Sequence, residues 1–339
     1  MNEQIMKKIR IRVKKITPKK VVNFYRFLTK SILLFKLNIY DFFIYFKYSA
    51  AVRGDFSSKN ALTSSIIMDY HRIEKGLSLP DVRPKFGLWF IPDLIYRITH
   101  FVDEYGEDDT VLAAINAIQT YRKHHFLINI SLKELELDFL RLDNLNIKKS
   151  NEGTVNISND RKTSFPFKEF ASSRFSIRDF KTGLISEEYV QNAVSIAKKT
   201  PSVCNRQPWR VYFIQGAKIN RLLELQNGNR GFRKSVDNLL IITGKISNMR
   251  SPTERNQIYI DGGLFSMSLI YAFHSFEIGS CALNWCVEKS NDLKAKQILN
   301  LPKDEVIIMY MAIGLKKEKY VVASSPRFKN EKILTILAD

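Results

Sequence analysis

The sequence predicts an α+β fold in which helices pack on a sheet, with a helical extension before it. Three observations support this class. Strand and helix patterns mix in the C-terminal half without the strict alternation of a parallel sheet, residues 61–150 show helical patterns alone, and residues 1–60 are basic and rich in aromatic side chains. With 339 residues, 45% of them hydrophobic, the chain is long enough to bury a core.

The N-terminal arm, residues 1–60, has apolar residues at near-helical spacing and becomes strongly apolar over residues 31–48. Because Lys36, Asp41 and Lys47 interrupt that run, we predict no transmembrane helix. Two interpretations stay open. Residues 1–48 form an interfacial helix that contacts a membrane surface, or they pack on the same chain or on a partner subunit. A signal peptide is not expected, because charges break the apolar stretch.

Residues 61–150 form the second predicted region. Its helices are predicted at 65–76, 109–126 and 131–142. His71 and Glu74 lie one turn apart, so they could shuttle protons or bind a substrate, or they could belong to a helix end tied by ion pairs. The loop at 144–163 is rich in Asn, Ser and Lys and predicts a domain boundary, with the third region at 164–339.

The third region supplies the predicted sheet. Helices are predicted at 186–199, 217–226, 257–276 and 291–299, and strands at 210–215, 238–243, 280–285 and 305–313. Ser186 is the predicted N-cap of the first of these helices, because Glu187 and Glu188 follow it in the first turn.

The stretch from Ser172 to Phe180 reads S-S-R-F-S-I-R-D-F and places a cation, a hydroxyl and a cation on alternate residues. An extended backbone would direct Arg174, Ser176 and Arg178 to one side. Two fork-shaped guanidinium groups with a hydroxyl between them suit a doubly ionised phosphate. A run of this kind is also common on solvated surfaces.

A second motif, T-P-S-V-C-N-R-Q-P-W-R, spans Thr200 to Arg210 between a predicted helix and a predicted strand. Its two prolines restrict the loop and bring short amide side chains together. Alone, this loop could equally cap a hydrophobic core.

In combination, S-R-x-S-x-R-x-F, a gap of about twenty residues and P-S-x-x-N-x-Q-P-W resemble the FMN-dependent nitroreductase family over about residues 164–339. The resemblance implies the fold of that family, a mixed sheet flanked by helices. It also implies roles for individual residues. Arg174, Ser176 and Arg178 would hold the flavin phosphate and ring edge, Asn205 would contact the isoalloxazine or ribityl, and Pro201 and Ser202 would form the wall beside the ring.

Two later segments fit the same resemblance. The turn at Trp285 and Cys286 lies where the family places a backbone N–H against flavin N5, although many members carry Glu-Gly or Gly-Gly there. Arg327 matches the arginine of the closing phosphate contact, whereas Ser325 replaces the usual first cation. The helix at 257–276 corresponds to a homodimer interface in the family, so the resemblance implies a homodimer.

The implied activity is that of an FMN-dependent NAD(P)H oxidoreductase with ping-pong hydride transfer through flavin N5. NADH or NADPH would donate electrons to an unidentified acceptor. The acceptor would be a nitro or quinone compound, or an intermediate of polysaccharide biosynthesis. The second class is implied because residues 69–87 resemble nitroreductase-like proteins of bacterial surface-polysaccharide gene sets. The alternative is a flavin-binding or assembly protein at a membrane surface without turnover, which Ser325 and the Trp285–Cys286 turn favour.

The formal net charge is +19, and residues 1–60 carry 14 Lys and Arg against 3 Asp and Glu. That charge would suit nucleic acid, an anionic membrane surface or anionic small molecules as partners. It could equally reflect a lysine-rich genome, without any binding role. No DNA- or RNA-binding motif accompanies it, so nucleic acid is the least expected partner. Three cysteines are too few for a disulfide framework, which indicates a cytoplasmic protein, either free or peripheral at the inner face of the membrane. No metal site is predicted.

Overall fold

The structure, a computed structural model, describes residues 18–79, 81–145, 147, 153, 165–323, 325, 327 and 329–338. Most of the predicted boundary loop at 144–163 and the first 17 residues of the arm lie outside the described residues. The three predicted regions therefore stay a prediction.

The N-terminal half of the described chain is helical. Its α-helices are α1 (Lys19–Tyr48), α2 (Ala50–Arg53), α3 (Lys59–Leu77), α4 (Ile91–Tyr105), α5 (Asp109–Leu127) and α6 (Glu136–Asp143). Asp108 caps α5 through its side chain, which accepts hydrogen bonds from the backbone N–H groups of Thr110 and Val111. Helix α4 was not predicted, because a proline-rich loop precedes it. Its own Pro92 lies in the first turn, where no intrahelical N–H is needed.

The C-terminal half combines helices with a sheet. Its helices are α7 (Phe167–Ser172), α8 (Glu187–Ala197), α9 (Lys218–Leu225), α10 (Gln257–Ser275) and α11 (Lys289–Leu299), and its strands are β1 (Trp209–Gln215), β2 (Asn238–Lys245), β3 (Ile278–Asn284) and β4 (Glu305–Leu315). Ser186 is the N-cap of α8 as predicted, but its side chain makes no capping hydrogen bond.

The four strands form one sheet in the order β1–β2–β4–β3, and every neighbouring pair is antiparallel. Parallel pairing occurs at a single isolated bridge between Ser176 and Ser280, outside the named strands. The predicted α+β class with a helical N-terminal extension is confirmed. The mixed character of the sheet rests on that one bridge within the described residues.

Apolar residues on both faces of the sheet form its core. On one face, α10 packs Phe265, Leu269 and Phe273 against Leu240 of β2 and Met311 of β4. The other face carries α9 and α11 through a second buried set. A separate buried cluster joins α3, α4, α5 and α6 in the helical half. Strands buried on both faces read as continuous apolar runs, which is why β2 and β4 could be predicted from the sequence.

Helix α1 runs for 30 residues, and none of its residues is fully buried. Its contacts with the rest of the chain lie towards its C-terminal end. Ile44, Tyr45 and Tyr48 pack on a small cluster formed by Ile246, Met249, Ile258 and Val306. None of the helices in the described part of the chain is long and apolar enough to span a membrane.

Candidate functional site

The first predicted motif and the C-terminal arginine meet at one cavity of about 420 Å³. Five candidate side chains line it: Arg174, Ser176, Arg178, Ser325 and Arg327. No acidic residue is among its lining residues. The Arg327 guanidinium also donates a 2.5 Å hydrogen bond to the carbonyl oxygen of Ser325. Residues about 150 positions apart in the chain thus contribute cations and hydroxyls to the same space.

The sheet edge positions this segment. The backbone N–H of Ile177 donates a 3.0 Å hydrogen bond to the carbonyl oxygen of Ser280 in β3, and the N–H of Lys181 donates at 2.9 Å to Leu315 in β4. The side chains of Ile177 and Phe180 are buried in the core. Because side chains alternate along an extended backbone, Ile177 turns inward while Ser176 and Arg178 face the cavity.

The cavity is electropositive. In the described part of the chain, Arg174 and Arg178 form no ion pair, and the nearby carboxylate of Asp179 is bound 2.6 Å from Lys317. Burial lowers the pKa of His274, and the charges of Lys316 and Arg174 add to that effect. Unpaired guanidinium groups beside a neutral histidine suit an anion better than a cation.

The second motif forms a loop that enters β1. Its residues Val203–Asn205 make a single 3-10 turn in which Cys204 and Asn205 have positive φ angles of 47° and 53°. Gln207 also lies in this left-handed region, with φ of 48°. Such backbone is unfavourable for residues other than glycine and asparagine, so it persists where the surroundings enforce it.

Several hydrogen bonds enforce the shape of the loop. The N–H of Gln207 donates to the Ser202 hydroxyl at 2.9 Å, and the N–H of Val203 donates to a carboxylate oxygen of Asp261 at 3.2 Å. Trp209 then stacks on Phe265 of α10, with ring centroids 4.7 Å apart. Pro201, Ser202 and Asn205 are thereby presented at the surface or half-buried.

Arg206 lies at the centre of this support and was not singled out from the sequence. Its guanidinium is fully buried and binds both carboxylate oxygens of Glu254, at 2.8 and 3.0 Å. It also donates to the carbonyl oxygens of Asn248 and Val203. Burial acts to raise the pKa of Glu254, but hydrogen bonds from Arg206 and the Arg250 backbone outweigh it and lower that pKa.

The predicted N5-contact turn follows β3. The N–H of Cys286 donates to the side-chain oxygen of Asn284 at 3.1 Å. The Trp285 ring stacks on Tyr310 at 4.4 Å, and its indole N–H donates to Asp292 at 2.9 Å. The other carboxylate oxygen of Asp292 accepts a 2.8 Å hydrogen bond from the hydroxyl of Tyr40 in α1. The N-terminal helix is therefore tied directly to this turn.

A second cavity, of about 690 Å³, lies beside the turn. Leu37, Tyr40, Asp41 and Ile44 of α1 form one wall, and residues 282–287 form another. Burial, followed by the charge of Asp292, raises the pKa of Tyr40, so the phenol is protonated at neutral pH. Desolvation likewise raises the pKa of Tyr259, which lines the same cavity, to about 12.

The sheet register separates the two motifs within one chain. Ser176 forms a bridge with Ser280 of β3. Across the sheet, Ser280 pairs with Ile313 of β4, Ile313 with Asn238 of β2, and Asn238 with Gln215 of β1. Trp209, where the second motif ends, lies on the other edge strand and at the other end of it. From Ser176 to Trp209, four strand spacings and six residues correspond to roughly 19 Å across and roughly 20 Å along the sheet. The structure therefore brings Arg174, Ser176, Arg178 and Arg327 together but leaves Pro201, Ser202 and Asn205 at the opposite corner.

His71 and Glu74 lie apart from both cavities. His71 Nδ1 is 3.0 Å from a carboxylate oxygen of Glu74, and the adjacent Arg72 binds Asp69 at 2.7 Å. These contacts lie near the end of α3 and match the ion-paired helix end that the sequence left open.

The α+β sheet and the cationic cavity at its edge can be compared with those of known proteins. The profile of the nitroreductase family matches residues 171–230, the stretch that contains both motifs. The predicted resemblance to this family is therefore confirmed, and the match supports an oxidoreductase in general terms. None of the curated proteins matches the sequence.

Three solved structures that resemble part of this chain are also nitroreductases by description. A nitroreductase family protein from Streptococcus pneumoniae is 19% identical, covers 50% of this chain and all of its own, and has a TM-score of 0.44. A nitroreductase from Desulfovibrio desulfuricans in complex with FMN is 18% identical, with 52% and 99% covered and a TM-score of 0.45. An FMN-dependent nitroreductase from Clostridium difficile is 18% identical, with 49% and 96% covered and a TM-score of 0.42.

Proposed function

We propose that this protein is an FMN-dependent oxidoreductase that uses NADH or NADPH. The observation that carries the proposal is the convergence of Arg174, Arg178 and Arg327 on one cavity, with the Ser176 and Ser325 hydroxyls beside them. This donor set fits a phosphate group, because three guanidinium groups supply charge-assisted hydrogen bonds and no acid among the lining residues competes. When bound, FMN would supply hydride chemistry, accepting electrons from the nicotinamide and passing them to an acceptor in a ping-pong sequence.

The residues of the chain would position the cofactor along β3. From Ser280 to Trp285 the strand extends roughly 17 Å, which connects the phosphate cavity with the Trp285–Cys286 turn. The N–H of Cys286 already donates to Asn284. We therefore assign the contact with flavin N5 to the backbone N–H of Trp285. Arg174, which lines the phosphate cavity, would stabilise the negative charge of the phosphate.

The cavity between α1 and the turn would hold the acceptor. Leu37 and Ile44 supply an apolar wall, and the Tyr40 hydroxyl, which donates its proton to Asp292, can accept a hydrogen bond. A flat nitro or quinone compound suits the apolar part of this wall, and the charged side chains of Asp41, Lys289 and Lys296 line the same cavity. An intermediate of surface-polysaccharide biosynthesis remains the second class of acceptor that the sequence implies.

A homodimer would complete the site. Pro201, Ser202 and Asn205 lie at the sheet corner opposite the arginines, so one chain cannot apply both sets to a single cofactor. Helix α10 exposes Ile260 and Leu264, and these apolar residues suit an interface with a second copy. In this arrangement the loop of one copy would form the wall beside the flavin bound by the other.

The absorbance spectrum of the purified protein, with the released cofactor identified by mass, tests the cofactor. We expect oxidised-flavin bands and an FMN mass, both lost in the Arg174→Ala and Arg327→Ala variants. Arg221→Ala is the matched control, because it removes the same charge from the exposed face of α9. A colourless protein that does not take up added FMN would contradict the proposal.

Subunit mixing tests the shared site. We expect Arg174→Ala and Asn205→Ala each to lose NADPH oxidation with a quinone acceptor. Unfolding and refolding them together should restore about a quarter of the sites, because half of randomly formed dimers are mixed and each carries one intact site. No recovery in refolded mixed dimers would place both residues in a site within one chain.

The alternative without turnover, at a membrane surface in or beside the cytoplasm, stays a prediction. It requires FMN binding without NAD(P)H consumption, together with liposome flotation that depends on residues 1–48.

A further inference from the structure

Helix α1 carries an uninterrupted apolar seam along its whole length. The seam consists of Val21, Tyr25, Leu28, Ile32, Phe35, Ile39, Phe42 and Phe46. The spacing alternates between four and three residues without a break, so the repeat is 3.5 residues and covers four heptads. Polar residues interrupt the columns on either side, Thr29 and Lys36 on one and Ser31 and Asn38 on the other.

All eight seam residues are exposed. Their exposed fractions range from 39% for Ile39 to 68% for Phe35, and Phe42 and Phe46 also line a cavity of about 540 Å³ with Val52, Pro252 and Arg255. The face that does contact the rest of the protein is a different one, through Tyr40, Ile44 and Tyr48. Exposure of a continuous apolar stripe over a helix about 45 Å long indicates a surface that another molecule covers.

We infer that the seam pairs with the seam of a second copy of this chain as a two-stranded coiled coil. A straight helix repeats every 3.6 residues, so a strict 3.5 repeat keeps its apolar residues in contact when two helices supercoil around each other. Covering the seam would bury at most roughly 800 Å² on each helix, which approaches the contribution of one partner to a standard interface.

The positions of the cations argue against a lipid surface as the partner. At 100° per residue, Lys19, Arg26 and Lys30 lie on the face of α1 opposite the seam, and of the six cations in the helix Lys36 alone flanks it. A helix that lies on an anionic membrane needs its cations beside the apolar face, where they reach the head groups. In a coiled coil, cations on the back of the helix stay in solvent.

Cysteine cross-linking of the full-length protein tests the pairing, in a Cys204→Ser and Cys286→Ser background. After mild oxidation we expect a covalent dimer from Ile32→Cys if the helices are parallel. If they are antiparallel, the dimer should form instead in a mixture of Leu28→Cys and Ile39→Cys. Leu34→Cys, exposed on the same helix but outside the seam, is the control and should stay monomeric on the gel.

A matched pair of double variants tests the seam itself. Leu28→Glu with Phe35→Glu changes one leucine and one phenylalanine within the seam, seven residues apart. Phe27→Glu with Leu34→Glu makes the same changes at the same spacing, outside it. We expect the cross-link yield to fall at least tenfold in the first and to stay near that of the parent in the second.

Two outcomes would overturn the inference. One is the absence of cross-links at every seam position, and the other is an equal loss in both double variants. Flotation of the uncross-linked protein with phosphatidylserine vesicles would then assign the seam to lipid. FMN content, compared with that of the Cys204→Ser and Cys286→Ser parent, reports the cofactor site separately, since no seam residue lines the arginine cavity.

Discussion

At the scale of single residues, a buried ion pair holds the loop that carries Pro201, Ser202 and Asn205. The Arg206 guanidinium donates hydrogen bonds to Glu254 and to the carbonyl oxygens of Asn248 and Val203, and the whole side chain is buried. This arrangement compensates for the left-handed backbone at Cys204, Asn205 and Gln207. A buried charge is stable only while its partner is present, so removal of either Arg206 or Glu254 alone destabilises the fold.

Replacement of Arg206 by methionine is expected to destabilise the protein by about 3–5 kcal/mol, because Glu254 keeps a charge without its main partner. Urea denaturation of the single variant, of Glu254→Gln and of the double variant measures the coupling. We expect the double variant to be more stable than Arg206→Met alone. Arg221→Met, at an exposed position, is the control and should change little.

The pH dependence of stability should report Glu254. Its folded-state pKa is lowered, so the ion pair contributes stability above the unfolded pKa of about 4.3 and loses that contribution as the pH falls through the folded pKa. We expect the wild type to exceed Glu254→Gln in unfolding free energy at neutral pH. The difference should shrink in acid, and a constant difference across a urea series from neutral to acidic pH would contradict it.

At the scale of elements, close backbone packing positions the arginine segment against the sheet. Gly314 of β4 faces the Phe180 side chain so closely that an added Cβ would lie 2.7–2.9 Å from its Cδ1, Cγ and Cβ atoms. Those atoms are near the backbone of Phe180, so they cannot move without the segment itself. The bridge between Lys181 and Leu315 lies directly beside this contact.

Gly314→Ala is therefore expected to displace the segment from Arg174 to Lys181 and to cost about 1–3 kcal/mol of stability through overpacking. FMN retention should fall at the same time, since Arg174 and Arg178 move with it. Gly231→Ala, where an added Cβ meets no atom within 4 Å, is the control. Unchanged denaturation midpoint and unchanged FMN content in Gly314→Ala would contradict the expectation.

At the scale of the whole molecule, the helical half and the sheet half meet at the segment that leaves β2. The hydroxyl of Ser64 donates to the carbonyl oxygen of Asn248 at 2.9 Å, and Lys245 donates to Asn60 at 2.8 Å. Arg250 binds Asp55, which also binds Arg97 at 2.9 Å. The two halves are thus joined by buried or half-buried polar contacts, in addition to the small apolar cluster that receives Ile44, Tyr45 and Tyr48 of α1.

Calorimetry should detect this coupling. We expect the wild type to unfold in one transition, and Arg250→Met to unfold at lower temperature with a broadened or split transition, because the contact across the halves is lost. Arg53→Met changes an exposed arginine nearby and should behave like the wild type. A single, unshifted transition in Arg250→Met would show that this ion pair does not couple the halves.

The sequence by itself determined the α+β class and most element positions, because buried strands and amphipathic helices have distinct periods. It also predicted that Arg174, Ser176 and Arg178 face the same side, as they do in the cavity, since side chains alternate along an extended backbone. No sequence pattern indicated the structural roles of Arg206 and Asp292. A buried arginine or aspartate resembles a surface one in the sequence, and its partner is distant in the chain.

Tertiary structure alone decided where these parts lie. The strand order put the two motifs at opposite corners of the sheet, although some twenty residues separate them in the chain. It also brought Arg327 to Arg174 and Tyr40 to Asp292. Local sequence determines backbone periods and side-chain chemistry, whereas distances between remote residues follow from strand pairing and core packing, which no single segment specifies.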